Sequence, residues 1–332
     1  MKIFLIGDYY SGTGPANVTQ QYKNHIENIL YQRMRKKAPR LLEMAVKILL
    51  CDVVLLSGHS KQNLYAVKMA KICHKKTAFL MHGCVEHENA INGVDDRDMT
   101  DTERRTMEGA DAIYAVSEHF ALWLKEHYPQ YADKISGVPN GIDLSPAETP
   151  VSGSERAMHR VISIGGGMPR KQIFYIAQAV MLLRQKSGFE DTELIVIGAE
   201  GLDTGKVNAY PCVKNLGLVP FERSMELLGS ASLFVQNSCF ETFGLAPLEA
   251  LKMGDSLLLS KEVGALELFS DLREDDLIRN TRDPEEIAYK MKSLLEAGNH
   301  DRLLASIDTE SVSWKKRSKL LVRKLGELAG QH

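Results

Sequence analysis

The sequence has no apolar run of 18 residues, and its opening stretch, MKIFLIGDYY, places a run of only four apolar residues before Gly7 and Asp8. Neither a membrane-spanning helix nor the apolar core of a secretory leader is expected from such a pattern. Cysteine is sparse: Cys51, Cys73, Cys84, Cys212 and Cys239 form no CxxC pair and no even framework. That excludes a zinc knuckle and a disulfide scaffold and fits a reducing, cytoplasmic setting. Charge of one sign is also lacking, because the formal net charge is −2 with 25% charged residues, a balance that argues against a nucleic-acid binder and against disorder. No Gly-Lys-Ser/Thr follows a four-residue gap after a glycine, so there is no P-loop. The glycine stretch at 165–167 is not a dinucleotide fingerprint either, since Arg170 stands where G-x-G-x-x-G requires its last glycine.

The bland totals hide an uneven distribution. From Lys23 to Lys76 there are twelve basic residues against three acidic ones, and from Glu86 to Asp111 nine acidic residues against three arginines. A length of 332 residues with 44% apolar content predicts two domains, each with its own core. Short runs rich in Val, Ile and Leu alternate with helical-period segments. In the first half these are KIFLIG with a helix over 16–31, DVVLLSG with 61–73, TAFLMHG with a helix near 98–109, and AIYAVS with 118–127. Residues 143–159 interrupt the pattern with two prolines, a glycine and three serines, which reads as an interdomain hinge. The alternation then resumes with RVISIGGG, a helix over about 171–187, ELIVIG, LFVQNS, a helix opening near Pro247, and SLLLS. Strands covered on both faces need no polar side, so the pattern predicts an α/β protein with two parallel sheets. Ligands in such sheets bind beyond the carboxyl ends of the strands.

Two chemical features stand at such ends. In NSCFETFGLAPLEALKMG, residues 237–254, Glu241 precedes a turn at Gly244, and Pro247 suits the first turn of the following helix. The free amides of Leu245 and Ala246 at that helix start form an anion pocket, and Glu249 is expected in the first turn, where a carboxylate accepts hydrogen bonds from a diol. An isolated pair of acids in this arrangement is more often a dipole-favoured first-turn acid beside a solvated loop acid. The second feature is SIGGGMPRKQ, residues 163–172, whose glycines let the backbone approach a ligand while Arg170 and Lys171 neutralise a diphosphate, one as a planar fork and one as a point charge. Together the two suggest a phosphorylated ligand. DDRD, residues 95–98, imitates a metal-binding D-x-D motif but lies in an acid-rich stretch away from any strand end and reads as solvated loop, so no metal site is expected. His59, at the end of LLSGHS, is a candidate acceptor contact, whereas His87 and His119 read as structural or exposed.

Across nearly its whole length the chain resembles the glycosyltransferases of family 4. The segments that carry the likeness, in order, are GDYYSGTGPANVTQQ, AFLMHG, GADAIYAVSEHF, GVPNGID and, most specifically, NLGLVPFERSMELLGSASLFVQNSCFETFGLAPLEALKMG. The resemblance implies the GT-B architecture, two Rossmann-like domains facing across a cleft. The N-terminal, acceptor-binding domain would comprise residues 1–145, with a C-terminal helix over about 312–330 packing back onto it, and residues 158–311 would form the nucleotide-sugar domain. It further implies that Glu249 holds the ribose, Glu241 the hydroxyls of the donor sugar, and Lys171 the diphosphate with help from the amides near Leu245. The backbone at Leu218 and Val219 would pack on the base, Gly12 and Gly14 would let the first loop close over phosphate, and His82 would approach the donor sugar. One position departs from the family: the arginine that usually follows the first glycine of the phosphate strand is here Gly166, and Arg170 is the candidate substitute. The first domain is also short for the family.

The resemblance thereby implies a retaining transferase that moves a sugar from a nucleotide-diphosphate donor, a UDP-sugar ahead of a GDP-sugar, to a glycan or lipid-linked acceptor in surface polysaccharide or glycolipid synthesis. It would use no cofactor and no metal, and no nucleic acid. His82, Lys171 and Glu241 would be the catalytic residues. The alternative is a catalytically silent GT-B subunit that binds glycan or a partner transferase; a two-Rossmann epimerase or phosphorylase is a third class, and no dedicated phosphorylase cofactor site is visible. An anionic membrane surface is a further expected partner. Arg33, Arg35, Lys36, Lys37 and Arg40 precede the apolar Leu41, Leu42, Met44, Ala45, Ile48 and Leu49, as in an interfacial helix, and Lys315, Lys316, Arg317, Lys319, Arg323 and Lys324 repeat the basic character near the C-terminus. The expected location is cytoplasmic, peripheral on the inner face of the membrane.

Overall fold

The structure, a computed structural model, describes residues 1–34, 36–144 and 157–330. The chain separates into two units, one of residues 1–89, 95–143 and 310–332 and one of residues 90–94 and 144–309. Most of the expected hinge, residues 145–156, lies outside the described residues, as does Arg35.

The first unit runs β1 (Ile3–Ile6), α1 (Gly14–His25), β2 (Ile29–Tyr31), α2 (Lys37–Leu50), β3 (Val53–Ser57), α3 (Gln62–Ile72), β4 (Lys76–Met81), α4 (Val85–Asn92, whose last three residues are counted with the second unit), α5 (Arg97–Gly109), β5 (Ala112–Ala115), α6 (Glu118–His127) and β6 (Ile135–Gly137). Its six strands are all parallel, in the order β2-β1-β3-β4-β5-β6. The order reverses between β1 and β3, the position at which loops from adjacent strands diverge and leave room for a ligand. The inner strands VVLLS and KTAFLM are apolar nearly throughout because both faces are covered.

The second unit runs β7 (Arg160–Ile164), α7 (Ile173–Leu183), β8 (Glu193–Ile197), α8 (Thr204–Asn208), β9 (Val213–Asn215), α9 (Phe221–Gly229), β10 (Leu233–Gln236), α10 (Leu245–Lys252), β11 (Ser256–Ser260), β12 (Leu277–Ile278), α11 (Pro284–Ala297) and α12 (His300–Ala305). This sheet is also six-stranded and parallel, in the order β12-β11-β10-β7-β8-β9, so its switch point falls between β7 and β10. Its core gathers Val161, Leu194, Leu233 and Leu258 from the strands with Ile176, Val180 and Met291 from α7 and α11. The last helix, α13 (Trp314–Leu328), belongs to the first unit: Trp314 meets Tyr22 edge to face at 5.5 Å, and Tyr114 Oη donates to the carbonyl of Lys324 at 3.1 Å. Gly141 lies so close to Trp314 that an added Cβ would stand 2.8 Å from its Cα.

Several elements differ from expectation. The helix expected over 16–31 ends at His25, because Asn28 turns the chain at φ 57 and Ile29–Tyr31 pairs with β1 as a three-residue edge strand. A strand that short shows too few alternations to be read from periodicity. In α2, Met44 and Ile48 are fully buried, not part of an exposed apolar face: being four residues apart they share the inward stripe. The exposed apolar residues of that helix are Leu42, Val46, Leu49 and Leu50.

Candidate functional site

The loops after β7 and β10 are tied to one another across the switch point. The amide of Cys239 donates to the carbonyl of Arg170 at 2.9 Å, and Arg170 Nη1 donates to the carbonyl of Phe240 at 3.3 Å. Three consecutive glycines make the first of these loops. Gly165 allows the stem of Lys171 to cross its backbone, where a Cβ would come within 2.4 Å of Lys171 Cγ. Gly166, at φ 58, presses on the end of β8, where a Cβ would stand 2.0 Å from the carbonyl oxygen of Ala199. No side chain fits there, so the departure from the family arginine at 166 is a packing requirement of this loop.

Arg170 and Lys171 sit on a single 3₁₀ turn, Pro169–Lys171, one residue ahead of α7, and not at the helix start itself. The intervening Gln172 is buried and left-handed at φ 50, a conformation uncommon for a residue with a side chain and concentrated at functional sites. From this turn Lys171 Nζ donates to Glu241 Oε2, and Arg170 Nη1 lies 3.7 Å from the same oxygen. Gln236, the last residue of β10, donates to that oxygen at 2.8 Å. Burial alone would raise the Glu241 carboxyl, but the charges of Lys171 and Arg170 outweigh it and hold its pKa below the usual range. Glu241 is therefore an ionised, buried carboxylate between two cations.

The chain then rises from Glu241 into α10. Gly264 and Ala265 donate their amides to the carbonyls of Glu241 and Phe243 at 3.0 and 2.7 Å, which fixes the turn. Gly244 closes it at φ 91, in the left-handed region glycine favours, and has no side chain to cap the helix. The helix begins at Leu245, two residues earlier than Pro247, so Glu249 is its fifth residue and stands in the second turn, not the first. The leading amides of Leu245 and Ala246 are at the tip as expected, with the positive end of the helix dipole. Burial pushes the Glu249 carboxyl up to about 7, with Lys252 pulling weakly the other way. On the loop between β9 and α9, Leu218 is 80% exposed, and Leu216 and Phe221 beside it are also exposed, an apolar group open to solvent around Val219.

In the first unit, Gly12 (φ 71) and Gly14 frame Thr13, whose hydroxyl caps α1 by accepting from the Ala16 amide at 3.4 Å. His82 directly follows β4, and its Nε2 lies 2.8 Å from Ser57 Oγ. Ser57 Oγ lies 2.7 Å from Thr19 Oγ1, which donates to the carbonyl of Pro15 at 2.8 Å. Gly7 makes room for the pair, since a Cβ there would stand 2.9 Å from Thr19 Cγ2. Burial pushes the His82 imidazole down to about 3, so at neutral pH it is an uncharged hydrogen-bonding group and not a cation. His59 is exposed on the loop before α3. The carboxylates of DDRD are structural: Asp96 caps α5 by accepting from Met99, Asp95 pairs with Arg97 at 3.0 Å, and Asp98 pairs with Lys61.

Thr19 and Gln236 lie within segments that carry the family resemblance, but neither they nor Ser57 is singled out as a site residue by the sequence. The signal available for Gln236 is a polar residue ending an otherwise apolar strand. Ser57 and Thr19 are separated by 38 residues and meet only through the sheet.

Two family models divide the chain between them: Glycosyltransferase Family 4 matches residues 9–146, and Glycosyl transferases group 1 matches residues 159–297. With both models in chain order over two parallel-sheet units, the protein belongs to the family 4 type of GT-B glycosyltransferases. Solved structures share the fold at low identity. HepE (Alr3699) of Anabaena in complex with UDP-glucose superposes with a TM-score of 0.72 at 14% identity, over 98% of this chain and 100% of that one. Sucrose-phosphate synthase of Thermosynechococcus elongatus gives 0.68 at 15% identity over 99% of each chain. A UDP-forming α,α-trehalose-phosphate synthase of Burkholderia xenovorans, in complex with glucose-6-phosphate, gives 0.68 at 9% identity over 98% of this chain and 100% of that one. A search of curated proteins by sequence finds no match.

Proposed function

We propose that this glycosyltransferase takes its sugar from a UDP-sugar, ahead of a GDP-sugar, and transfers it with retention to a glycan or lipid-linked acceptor in surface polysaccharide or glycolipid synthesis. The observation that carries the reading is the convergence of Lys171, Arg170, Glu241 and the amide tip of α10 at one switch point. Two cations and a helix tip beside a close-packed glycine bend form a site for a diphosphate. Glu249 is assigned to the ribose diol, Glu241 to hydroxyls of the donor sugar, and the loop at Leu218 and Val219 to the base. Gly12 and Gly14 are assigned to the first unit's phosphate-approaching loop, and His82 to the donor sugar as a neutral partner. His59 is the acceptor contact.

In this scheme the departing diphosphate takes the acceptor's proton on the same face of the sugar, through an oxocarbenium-like state. Glu241 is not the nucleophile. Its ion pair with Lys171 holds the ammonium in place in the absence of donor, and phosphate oxygens draw on the same ammonium when the bond to the sugar breaks. The chain's own cations and amides stabilise the leaving group, so no metal or cofactor is invoked. HepE and the trehalose-phosphate synthase, whose structures hold UDP-glucose and glucose-6-phosphate, support UDP as the nucleotide and a sugar phosphate as an acceptor class to try first.

The second reading, a silent GT-B subunit, draws on Gly166 and on both cations being engaged by Glu241. Thermal shift with UDP, GDP and ADP separates the two. The transferase is expected to be stabilised by UDP most strongly and to release UDP slowly from its sugar conjugate; indifference to all three nucleotides defeats it.

A peripheral position on the inner face of the membrane completes the proposal. It is supported by exposed Leu42, Val46, Leu49 and Leu50 along α2, with Lys36 and Lys37 at its start. Among the described residues no helix is long and apolar enough to cross a membrane.

A further inference from the structure

One cluster in the first unit is given no role in the proposed donor binding. Tyr31 ends β2, and Tyr9 and Tyr10 lie on the loop after β1. The ring of Tyr9 meets that of Tyr10 at 6.0 Å and that of Tyr31 at 5.9 Å, both edge to face. Three cations surround the Tyr31 ring: Lys23 Nζ is 4.5 Å from its centroid, the Arg33 guanidinium 5.2 Å and Lys47 Nζ 5.9 Å. Lys23 also approaches Tyr9, at 5.9 Å.

The carboxylate of Glu43 joins the group, and it is already engaged. Glu43 pairs with Lys47 at 2.5 Å and accepts from the backbone amides of Arg33 and Met34 at 2.9 and 2.8 Å. The loop's own acid, Asp8, accepts from the amides of Tyr10 and Ser11. Among the described residues neither Lys23 nor Arg33 has a carboxylate within ion-pair distance. Two cations with no matching anion are thus held against half-buried tyrosine rings, beside a tyrosine that is 62% exposed. Like charges gathered on an aromatic surface repel one another, and an anion at that point relieves the repulsion. A guanidinium and an ammonium side by side suit the oxygens of a phosphate group, and an exposed ring suits the apolar face of a sugar.

We propose that Lys23, Arg33 and the Tyr9–Tyr10–Tyr31 cluster bind the phosphate group of an acceptor that carries one, as a sugar phosphate or as the headgroup of a lipid phosphate. The role as acceptor rests on the transferase reading, but the anion site stands or falls by itself. Donor and acceptor phosphates then lie on different units, each with its own pair of basic residues.

The test uses the full chain saturated with UDP, so that the second unit's cations are occupied. One arm compares inorganic phosphate with chloride at equal ionic strength by thermal shift and calorimetry. The other compares cosedimentation with phosphatidylcholine vesicles containing phosphatidic acid and with phosphatidylcholine alone. The wild type is expected to prefer the phosphate-bearing probe at least tenfold in one or both arms. A response to inorganic phosphate identifies a soluble sugar phosphate, and a response confined to vesicles identifies a lipid. Lys23→Ala and Arg33→Gln are each expected to reduce that preference about tenfold, while UDP binding and the far-ultraviolet spectrum stay as in the wild type. No preference in either arm, or a preference that both variants retain, overturns the proposal. Loss of UDP binding in the wild type removes the transferase reading, and the anion site is then judged by whether Lys23→Ala and Arg33→Gln lower the phosphate preference.

Discussion

At the scale of single residues, the properties of the proposed donor site come from how few charges are left in contact with water. Lys171 is the clearest instance, because its ammonium is held by Glu241 and its stem by the absence of a side chain at Gly165. Lys171→Ala is expected to lower kcat/KM about 100-fold, an effect of about 3 kcal/mol on the transition state, while the protein still binds UDP through the α10 tip. Steady-state kinetics beside calorimetry check both halves of that statement. Glu249 gives a pH dependence with a definite sign. Its carboxyl, pushed up to about 7 by burial, keeps a proton between about 4.5 and 7 that the unfolded chain gives up. The ligand-free protein therefore loses stability as pH rises through that window. A ribose diol donates to the ionised form, so UDP binding should release a proton and weaken as pH falls below about 7. Glu249→Gln should abolish that pH dependence and raise the melting temperature at pH 8 but hardly at pH 5. Calorimetry in buffers of different ionisation enthalpy, with melts at both pH values, provides the check. The carboxylates at 241 and 249 and the cations at 170 and 171 were legible in the sequence because glycines and a helix start flanked them. The ion pair joining Lys171 to Glu241 was not legible, since 70 residues separate its members and only the β7–β10 pairing brings them together.

At the scale of elements, the loops after β7 and β10 act as one object, stitched by the Cys239 amide and the Arg170 side chain. Gly166 gives the sharpest test of that object. Restoring the family's arginine there, Gly166→Arg, is expected to lower both stability and UDP affinity, because the Cβ would meet the Ala199 carbonyl at 2.0 Å and φ 58 disfavours any side chain. A melting temperature and a UDP affinity at or above wild type would show that the loop can relax and that Arg170 is not the substitute. Long, strongly patterned elements were legible in the sequence: AIYA, LFVQ, SLLLS and the helix Glu118–His127 fall where alternation and apolar runs place them. Among the elements that escaped, two are too short to carry a period. Ile29–Tyr31 has three residues, and α4 is a polar eight-residue helix capped from elsewhere, its Val85 amide donating to Glu103 at 2.9 Å. The start of α10 was displaced for a related reason: Gly244 carries the turn alone, so the helix begins immediately after it, and Pro247 is tolerated where its missing N–H has no helical acceptor.

At the scale of the whole chain, the C-terminal helix α13 is part of the first unit. Trp314, 4% exposed, is its anchor against Tyr22 and Gly141. Trp314→Ala is expected to destabilise the first unit by about 3–5 kcal/mol, visible as an early denaturant transition that UDP shifts less than the transition of the second unit, because the base, the ribose and the two cations that hold the diphosphate are assigned to the second unit. A single transition moved by UDP as in the wild type would contradict that assignment. The exposed stripe of α2 makes a separate claim. Sedimentation with vesicles of anionic against neutral lipid should show binding that falls with salt and that Leu42→Ser with Leu49→Ser weakens several-fold. Equal sedimentation with both lipids would remove the membrane surface from the proposal.

The amino-acid order by itself determined that two parallel α/β sheets form, and where the chemistry is concentrated, because apolar runs, glycines and capping residues act locally and leave a local record. Tertiary structure alone decided which charges meet. Gln236 and Arg170 converge on Glu241, Thr19 and Ser57 lead to His82, and Tyr31 collects three cations from α1, α2 and the loop between β2 and α2. In a parallel sheet the pairing of strands distant in sequence sets those distances, and nothing in the spacing of residues along the chain encodes them.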